Sequence, residues 1–439
     1  ATESELGFAD ALRRHSGGEL PAVRRAQDEL GRLILDHARA NLGAFLVRRP
    51  VEERANWWLF SRAGRLALDR EDELCAAIST DPVLSRFFPR LSEVTSSSRQ
   101  YMDSAGRGGT IQAVFLPELV VRSAARRAGW PDALEPESYF EHVLAVVDEV
   151  RLLLSGAVVE VPAWVLLTGL DVPDDFVLTT ELGELQTASP PLMTAPGSTV
   201  DPRLRVSLTY PLTVHVGARR SRARIEGALQ AQQEFRRRID HIRLAVLLAL
   251  RRPDPIALQV ASQEISSPLS HGPSISWPLF VSPFSTVLNL GEDRLIARWS
   301  RTIARHHHPS IELAGQRALL AAAAGRDPAD RLVDSVIALE NLVGQGAGTG
   351  PAKAFERSVP VLLADAESRR ALMRGRAQAI YTARSDIVHG RRQVPVLELE
   401  ALRREALVMA LNALRRLFRT FPKRIPDRHR ARWLAAHAP

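Results

Sequence analysis

Cysteine is almost missing from this chain: Cys75 is the one thiol in 439 residues. That excludes an intrachain disulfide and any zinc site built on several cysteines. A reducing, cytoplasmic setting is therefore expected. Long apolar runs are missing too. "LAVLLAL" at 244–250 falls far short of the roughly eighteen residues that span a bilayer, so no membrane span is expected. The opening "ATESELGFADALRR" lacks the basic-then-apolar pattern of an export signal. Lysine is scarce: among 58 basic residues only Lys353 and Lys423 are not arginine. With so much alanine, this reads as the codon usage of a GC-rich genome. Codon usage explains arginine in place of lysine. It does not explain the excess of basic over acidic side chains, which leaves a net charge of +8. That excess favours a polyanionic partner, and RNA is the expected one.

Cofactor motifs are absent as well, and no cofactor or metal is expected. "GQGAGTGPAK" (344–353) follows a helical pattern rather than a strand and lacks the Gly-Lys-Ser/Thr ending of a phosphate loop. It reads as a connector. In "RHHHPS", His306, His307 and His308 are consecutive, so on a helix they point to different sides, and the run reads as a solvated helix end.

The patterning implies an α+β chain that is mostly α. Residues 1–156 read as a helical region; Leu30, Leu33, Ile34, His37 and Leu42 share helical spacing, and Trp57 and Trp58 are expected in a core. "SSSRQYMDSAGRGGT" (96–110) reads as a loop by composition. Residues 157–290 mix strand and helix. In this stretch 203–217 forms a strand, with Pro211 at an edge or a bulge, 224–252 returns to helix, and the Pro/Ser-rich 266–284 reads as irregular. From 291 to 421 the pattern is helical throughout, over roughly 291–305, 309–324, 328–343, 352–366, 369–389 and 397–420, with a basic tail at 422–439.

Two of these helices carry charge on their apolar side. Asp327, Pro328 and Gly344 bound "DPADRLVDSVIALENLVG", in which Leu332, Val333, Val336, Ile337, Leu339 and Val343 form a stripe. Glu340 falls within that stripe. In "YTARSDIVHGRR" (381–392), Arg384 stands among Met373, Ala377, Ile380, Tyr381, Ile387 and Val388, and the pattern stops at His389-Gly390. Opposite charges on two inward faces are expected to meet. One reading is a structural bridge; the other is a functional cluster. On a continuous helix His389 lies about 140° round from Arg384. The two converge only if the helix end distorts or a second copy completes the site.

Arg-x4-His occurs six times, at 32/37, 236/241, 301/306, 384/389, 424/429 and 432/437, so the spacing selects nothing by itself. Context selects 384/389: Tyr381, Ser385, the glycine after His389, and an inward arginine. The other five read as exposed helix or tail. With this context the stretch resembles the HEPN superfamily of helical bundles, and within it the ApeA-like branch of prokaryotic defence proteins. The resemblance covers about 291–421. It implies metal-independent RNA cleavage by attack of the 2′-hydroxyl on the adjacent phosphate. His389 would act as general acid or base and Arg384 would stabilise phosphoryl charge, with Ser385 and Asp386 orienting them and Glu340 holding Arg384. Because HEPN sites are composite, one motif per chain implies a homodimer through the C-terminal bundle. Upstream regions would then sense a phage or cellular trigger. The alternative is a non-catalytic HEPN module that binds RNA or regulates a partner.

Two basic runs remain. Residues 218–243 carry eight arginines against three acids. "RRLFRTFPKRIPDRHRAR" (415–432) interleaves Arg415, Arg416, Lys423, Arg424, Arg428 and Arg430 with Phe418 and Phe421, a pattern suited to single-stranded RNA.

Overall fold

The computed structural model describes residues 26–46, 70–89, 91, 98–106, 108–129, 134–188, 204–216, 222–269, 286–344, 350–426, 430, 433–434 and 436–437. Trp57 and Trp58, Arg428 and most of 266–284 lie outside them. The architecture is α+β and mostly α, with the strands concentrated in the middle of the chain and helices at both ends.

The N-terminal layer comprises α1 (Glu29–Leu46), α2 (Glu71–Thr80), α3 (Leu84–Phe87), α4 (Leu116–Arg127) and α5 (Pro136–Leu154). The hydroxyl of the fully buried Tyr139 donates to the carbonyl of Ala38, and Arg151 joins Asp81 and Asp28, which ties α5 to α1 and α2. Between α3 and α4 runs a hairpin, β1 (Ser98–Asp103) and β2 (Gly108–Gln112). Within the loop expected at 96–110, residues 98–103 and 108–110 are thus strand. Its composition is turn-like, but β1 gains a second partner far along the chain, β8 (Val214–Val216), giving a β2-β1-β8 sheet. A long-range pairing of this kind overrides local propensity.

The middle region forms an antiparallel sheet of order β5-β6-β7-β3-β9, from β3 (Val159–Thr168), β5 (Val177–Thr180), β6 (Gly183–Thr187), β7 (Leu204–Leu212) and β9 (Gln259–Ile265). A short parallel pair joins β4 (Leu170–Asp171) to β10 (Thr286–Val287). Alternation decides which face is core: Val159, Val161, Ala163, Val165 and Leu167 point inward from β3, opposite Leu204, Val206, Leu208, Tyr210 and Leu212 of β7. Pro211 sits in β7, which is a central strand. The proline is tolerated because β6 pairs β7 only as far as Ser207, leaving Pro211 on a locally open edge.

Helix α6 (Arg222–Ala249) links this sheet to the C-terminal bundle. Phe235 packs edge-on against Tyr210 of β7, ring centroids 5.3 Å apart. Further along, Leu244 comes so close to Gly315 that a Cβ there would lie 3.1 Å from it. The bundle holds α7 (Glu292–His306), α8 (Glu312–Ala321), α9 (Pro328–Val343), α10 (Pro351–Leu363), α11 (Glu367–His389) and α12 (Val396–Thr420). These match the six helices read from the sequence, with α8 shortened by a 3-10 turn at Pro309–Ile311. Among the described residues, no helix is long and apolar enough to cross a membrane.

Candidate active site

Helix α9 starts where its sequence says it should. The Asp327 side chain accepts from the Ala329 N–H at 2.8 Å, Pro328 fills the first turn, and Gly344 takes φ 73° beyond the end. Its packed stripe is Leu332, Val336, Leu339, Leu342 and Val343, so Glu340 stands at the shoulder of the buried face rather than in its middle. Helix α11 buries only Ala377, Ile380 and Ala383. Met373, Tyr381 and Ile387 are half-buried, and Val388, expected on the apolar side, is exposed.

The two charges do meet. Arg384 Nη2 lies 3.8 Å from Glu340 Oε2, within ion-pair range but too far for a hydrogen bond. Both side chains keep partial access to water, at 22% and 29% exposure, so the pair lies at the edge of the core. Arg384 Nε is shielded from water and has no hydrogen-bond partner, while the guanidinium carbon stands 5.8 Å from the Tyr381 ring centroid. Tyr381 rests in turn on Phe355 of α10, centroids 5.1 Å apart. Burial, and then the neighbouring Glu340 carboxylate, push the Tyr381 hydroxyl above its ordinary pKa. Glu340 thus sits where it meets both the phenol and the guanidinium.

At the end of α11 the Arg391 N–H bonds the Asp386 carbonyl at 2.9 Å, the Gly390 N–H bonds Ile387, and Gly390 adopts φ 62°. This is a Schellman cap, which needs the glycine. It fixes His389 as the last helical residue, with an exposed imidazole. Ser385 and Asp386 are half-buried beside Arg384. The helix runs on without distortion, so the angle of about 140° between Arg384 and His389 persists. Within one copy the pair does not converge.

His429 and Arg432 lie outside the described residues; the other three Arg-x4-His pairs separate by environment. His37 is buried, and burial lowers its pKa to about 4. His241 lies half-buried in a cleft between α6, α8 and α12 and meets His307, which follows α7, ring centroids 4.1 Å apart. Burial, His307 and Arg237 together push His241 down to about 3, and burial and Arg237 lower His307. His37 and His241 are therefore not exposed, contrary to the sequence reading. Neither is the histidine run a uniformly solvated end: His306 is exposed, His307 is half-buried against His241 with the rings tilted 49° apart, and His308 Nδ1 accepts from the Ser310 N–H at 3.2 Å. No group of three or more His, Cys, Asp or Glu side chains is placed to hold a metal among the described residues.

Two of the six basic residues expected at RNA, Arg415 and Arg430, are folded inward. Arg415 is buried, and its guanidinium donates to the Leu248 and Leu247 carbonyls at the end of α6. Arg430 is fully buried and donates to the Ile425 and Asn341 carbonyls. Neither can reach a phosphate in this fold: a run of like charges in sequence does not reveal which members fold inward. Arg416 pairs with Asp365 at 2.6 Å, and Arg424 lies over Phe421 and Trp433. Lys423 is exposed.

Sequence reasoning also missed Asp334. It is buried on α9 and held by Arg317 at 2.7 Å and Arg326 at 2.5 Å. It lies about 200° round the helix from Leu332, off the apolar stripe, so helical spacing gave no sign that it would be buried. Compared with known proteins, the chain matches no family model, no curated sequence and no solved structure.

Proposed function

We propose that the C-terminal bundle is a metal-independent endoribonuclease of a defence or toxin type, acting as a homodimer. The observation that carries this reading is the end of α11. A capped helix presents an exposed imidazole about 7.5 Å along the axis from a guanidinium with one unused N–H. The angle between them leaves each copy with half a site. Two copies facing each other would bring two Arg384 and two His389 around one cleft. Leu372 and Val388 on α11 and Val396 and Leu397 at the start of α12 are large apolar side chains at least half exposed, as a self-complementary face would require.

In that cleft one His389 takes the proton of the RNA 2′-hydroxyl as its oxygen attacks the adjacent phosphorus. The other His389 protonates the departing 5′-oxygen. The products are a 2′,3′-cyclic phosphate and a 5′-hydroxyl. Arg384 meets the charge that gathers on the non-bridging oxygens, and Glu340 keeps its fork aimed. The non-catalytic reading has one observation in its favour: a 3.8 Å Glu340–Arg384 pair resting on Tyr381 also serves as a plain bridge between helices.

The deciding experiment uses the purified full chain and end-labelled RNA. Cleavage should persist in EDTA, spare RNA with a 2′-deoxy residue at the cut, and vanish in His389→Ala. Light scattering should report a dimer at micromolar concentration. A His389→Ala protein that cuts as fast as wild type, or a monomer that cuts, refutes the mechanism.

A further inference from the structure

The outer face of α7 is a row of arginines. Arg294, Arg298, Arg301 and Arg305 recur at helical spacing and are all exposed, while Ile296, Trp299, Ser300 and Ile303 are buried on the opposite side. The row is about 16 Å long, with neighbours some 5–6 Å apart. Two further exposed arginines flank it. Arg419 of α12 lies over the buried Trp299, 4.7 Å from the ring centroid, and Arg251 follows the end of α6.

Many arginines elsewhere among the described residues are matched with acids. Arg252 forms two bonds to Glu292 at 2.7 Å, and Arg403 reaches Asp254 and Glu400. On the ridge only Arg301 is matched, with Glu181 at 2.7 Å, and both of those side chains are exposed. Among the described residues Arg251, Arg294, Arg298, Arg305 and Arg419 form no ion pair with a carboxylate. The buried Arg415 guanidinium beneath them is satisfied only by carbonyls and Asn412. Burial, Arg251 and Arg419 press its pKa down to about 10; Arg419 is lowered by burial, Arg298 and Arg251. The cluster therefore concentrates like charge that Glu181 offsets only at one edge, beside Arg301 and Arg305, and an external polyanion would offset the rest.

We infer that the α7 ridge, with Arg251 and Arg419, is the docking track for the phosphate backbone of single-stranded RNA. The inference takes its partner from the ribonuclease reading and adds where the strand lies. Arginine forks suit phosphate, and a single file of them suits a linear chain of phosphates. A lipid surface needs no such file, and a membrane-binding helix would carry apolar side chains for insertion beside its cations. Beside the row, Leu295 is the one large apolar side chain that this helix exposes, at 38%.

The test is RNA binding by the full chain carrying His389→Ala, so that nothing is cut. Anisotropy of a labelled single strand is followed against salt. Adding Arg294→Gln, Arg298→Gln and Arg305→Gln removes three exposed charges that form no ion pair, so folding should be unaltered. If each meets one phosphate, the slope of log K against log salt should flatten by about 2. Affinity at about 0.1 M salt should fall about 100-fold. Arg39→Gln with Arg86→Gln, on the exposed N-terminal surface, should leave the slope unchanged. An unchanged slope in the ridge variant, an equal effect per charge in the N-terminal one, or ridge-dependent binding to phosphatidylserine vesicles without any to RNA each overturns the proposal. Ridge-dependent binding by a wild type that never cleaves would sink the ribonuclease reading and leave the ridge standing.

Discussion

Replacing Arg384 with alanine separates chemistry from stability. A deeply buried ion pair that loses one partner costs about 3–5 kcal/mol, because the other charge is stranded. The Glu340–Arg384 pair is not of that kind. Its atoms are 3.8 Å apart and each side chain retains roughly a quarter of its exposure, so Glu340 can turn to water. The exposed-pair scale applies instead, at most about 1 kcal/mol. In a chain of this size that lowers Tm by no more than about 2–3 °C. If Arg384 stabilises phosphoryl charge during cleavage, its removal costs about 100- to 1,000-fold in rate, or roughly 3–4 kcal/mol. The two effects therefore differ by several-fold in free energy, and one experiment reads both. Differential scanning calorimetry gives Tm, and initial rates on a fluorogenic RNA give activity well below it. Arg384→Lys should keep the charge and the Tm but recover only part of the rate, since an ammonium lacks the fork. The reasoning fails if Arg384→Ala cleaves within about threefold of wild type while keeping the expected Tm. It also fails if Tm collapses by 10 °C or more, which would make Arg384 a core residue.

Other consequences follow from the packing. His37 is buried and its folded pKa lies at about 4, below the ordinary 6.5, so the fold favours the neutral ring. Its contribution is complete above pH 6.5 and is lost as pH falls towards 4, by about 3 kcal/mol in all. Urea unfolding of His37→Leu should be flatter than wild type across that window, and parallel curves would contradict the assignment. Asp334→Ala should cost about 1–3 kcal/mol in chemical denaturation, less than a fully buried pair because Arg317 and Arg326 are each about a third exposed. A loss under 0.5 kcal/mol would show that the clamp holds nothing. At Gly183 φ is 151° and a Cβ would meet Leu208 at 2.7 Å and the Ser207 carbonyl at 2.9 Å. Gly183→Ala should therefore destabilise the sheet by about 1–3 kcal/mol, and a neutral result would show that the β5–β6 turn relaxes freely.

The six C-terminal helices were legible because their ends are written in local chemistry: Asp327 and Pro328 open α9, and Gly390 closes α11. The Glu340–Arg384 approach was legible from two helical periods. What escaped depends on residues far apart in sequence. The β1–β2 hairpin is turn-like in composition and is held by β8, about a hundred residues on. His241 and His307 meet only because α6 packs beside α7. Arg415 and Arg430 read as phosphate ligands because sequence shows charge but not the carbonyls waiting at the end of α6 and on α9. The α7 ridge was there to be read: arginines at 294, 298, 301 and 305 opposite Ile296, Trp299 and Ile303 make one polar and one apolar face.

Helix α11 has 23 residues and buries three of them. Burial of that extent gives little to offset the entropy of ordering the segment, so its opening is a local equilibrium that lies well below global unfolding. Its amide hydrogens should exchange with deuterium long before those of α9, whose buried face is nine residues strong. If a second copy docks on the closed helix, it shifts that equilibrium by mass action, and protection of α11 should then rise with protein concentration. Crowding of copies, rather than any change within one copy, would set how long Arg384 and His389 are held in register.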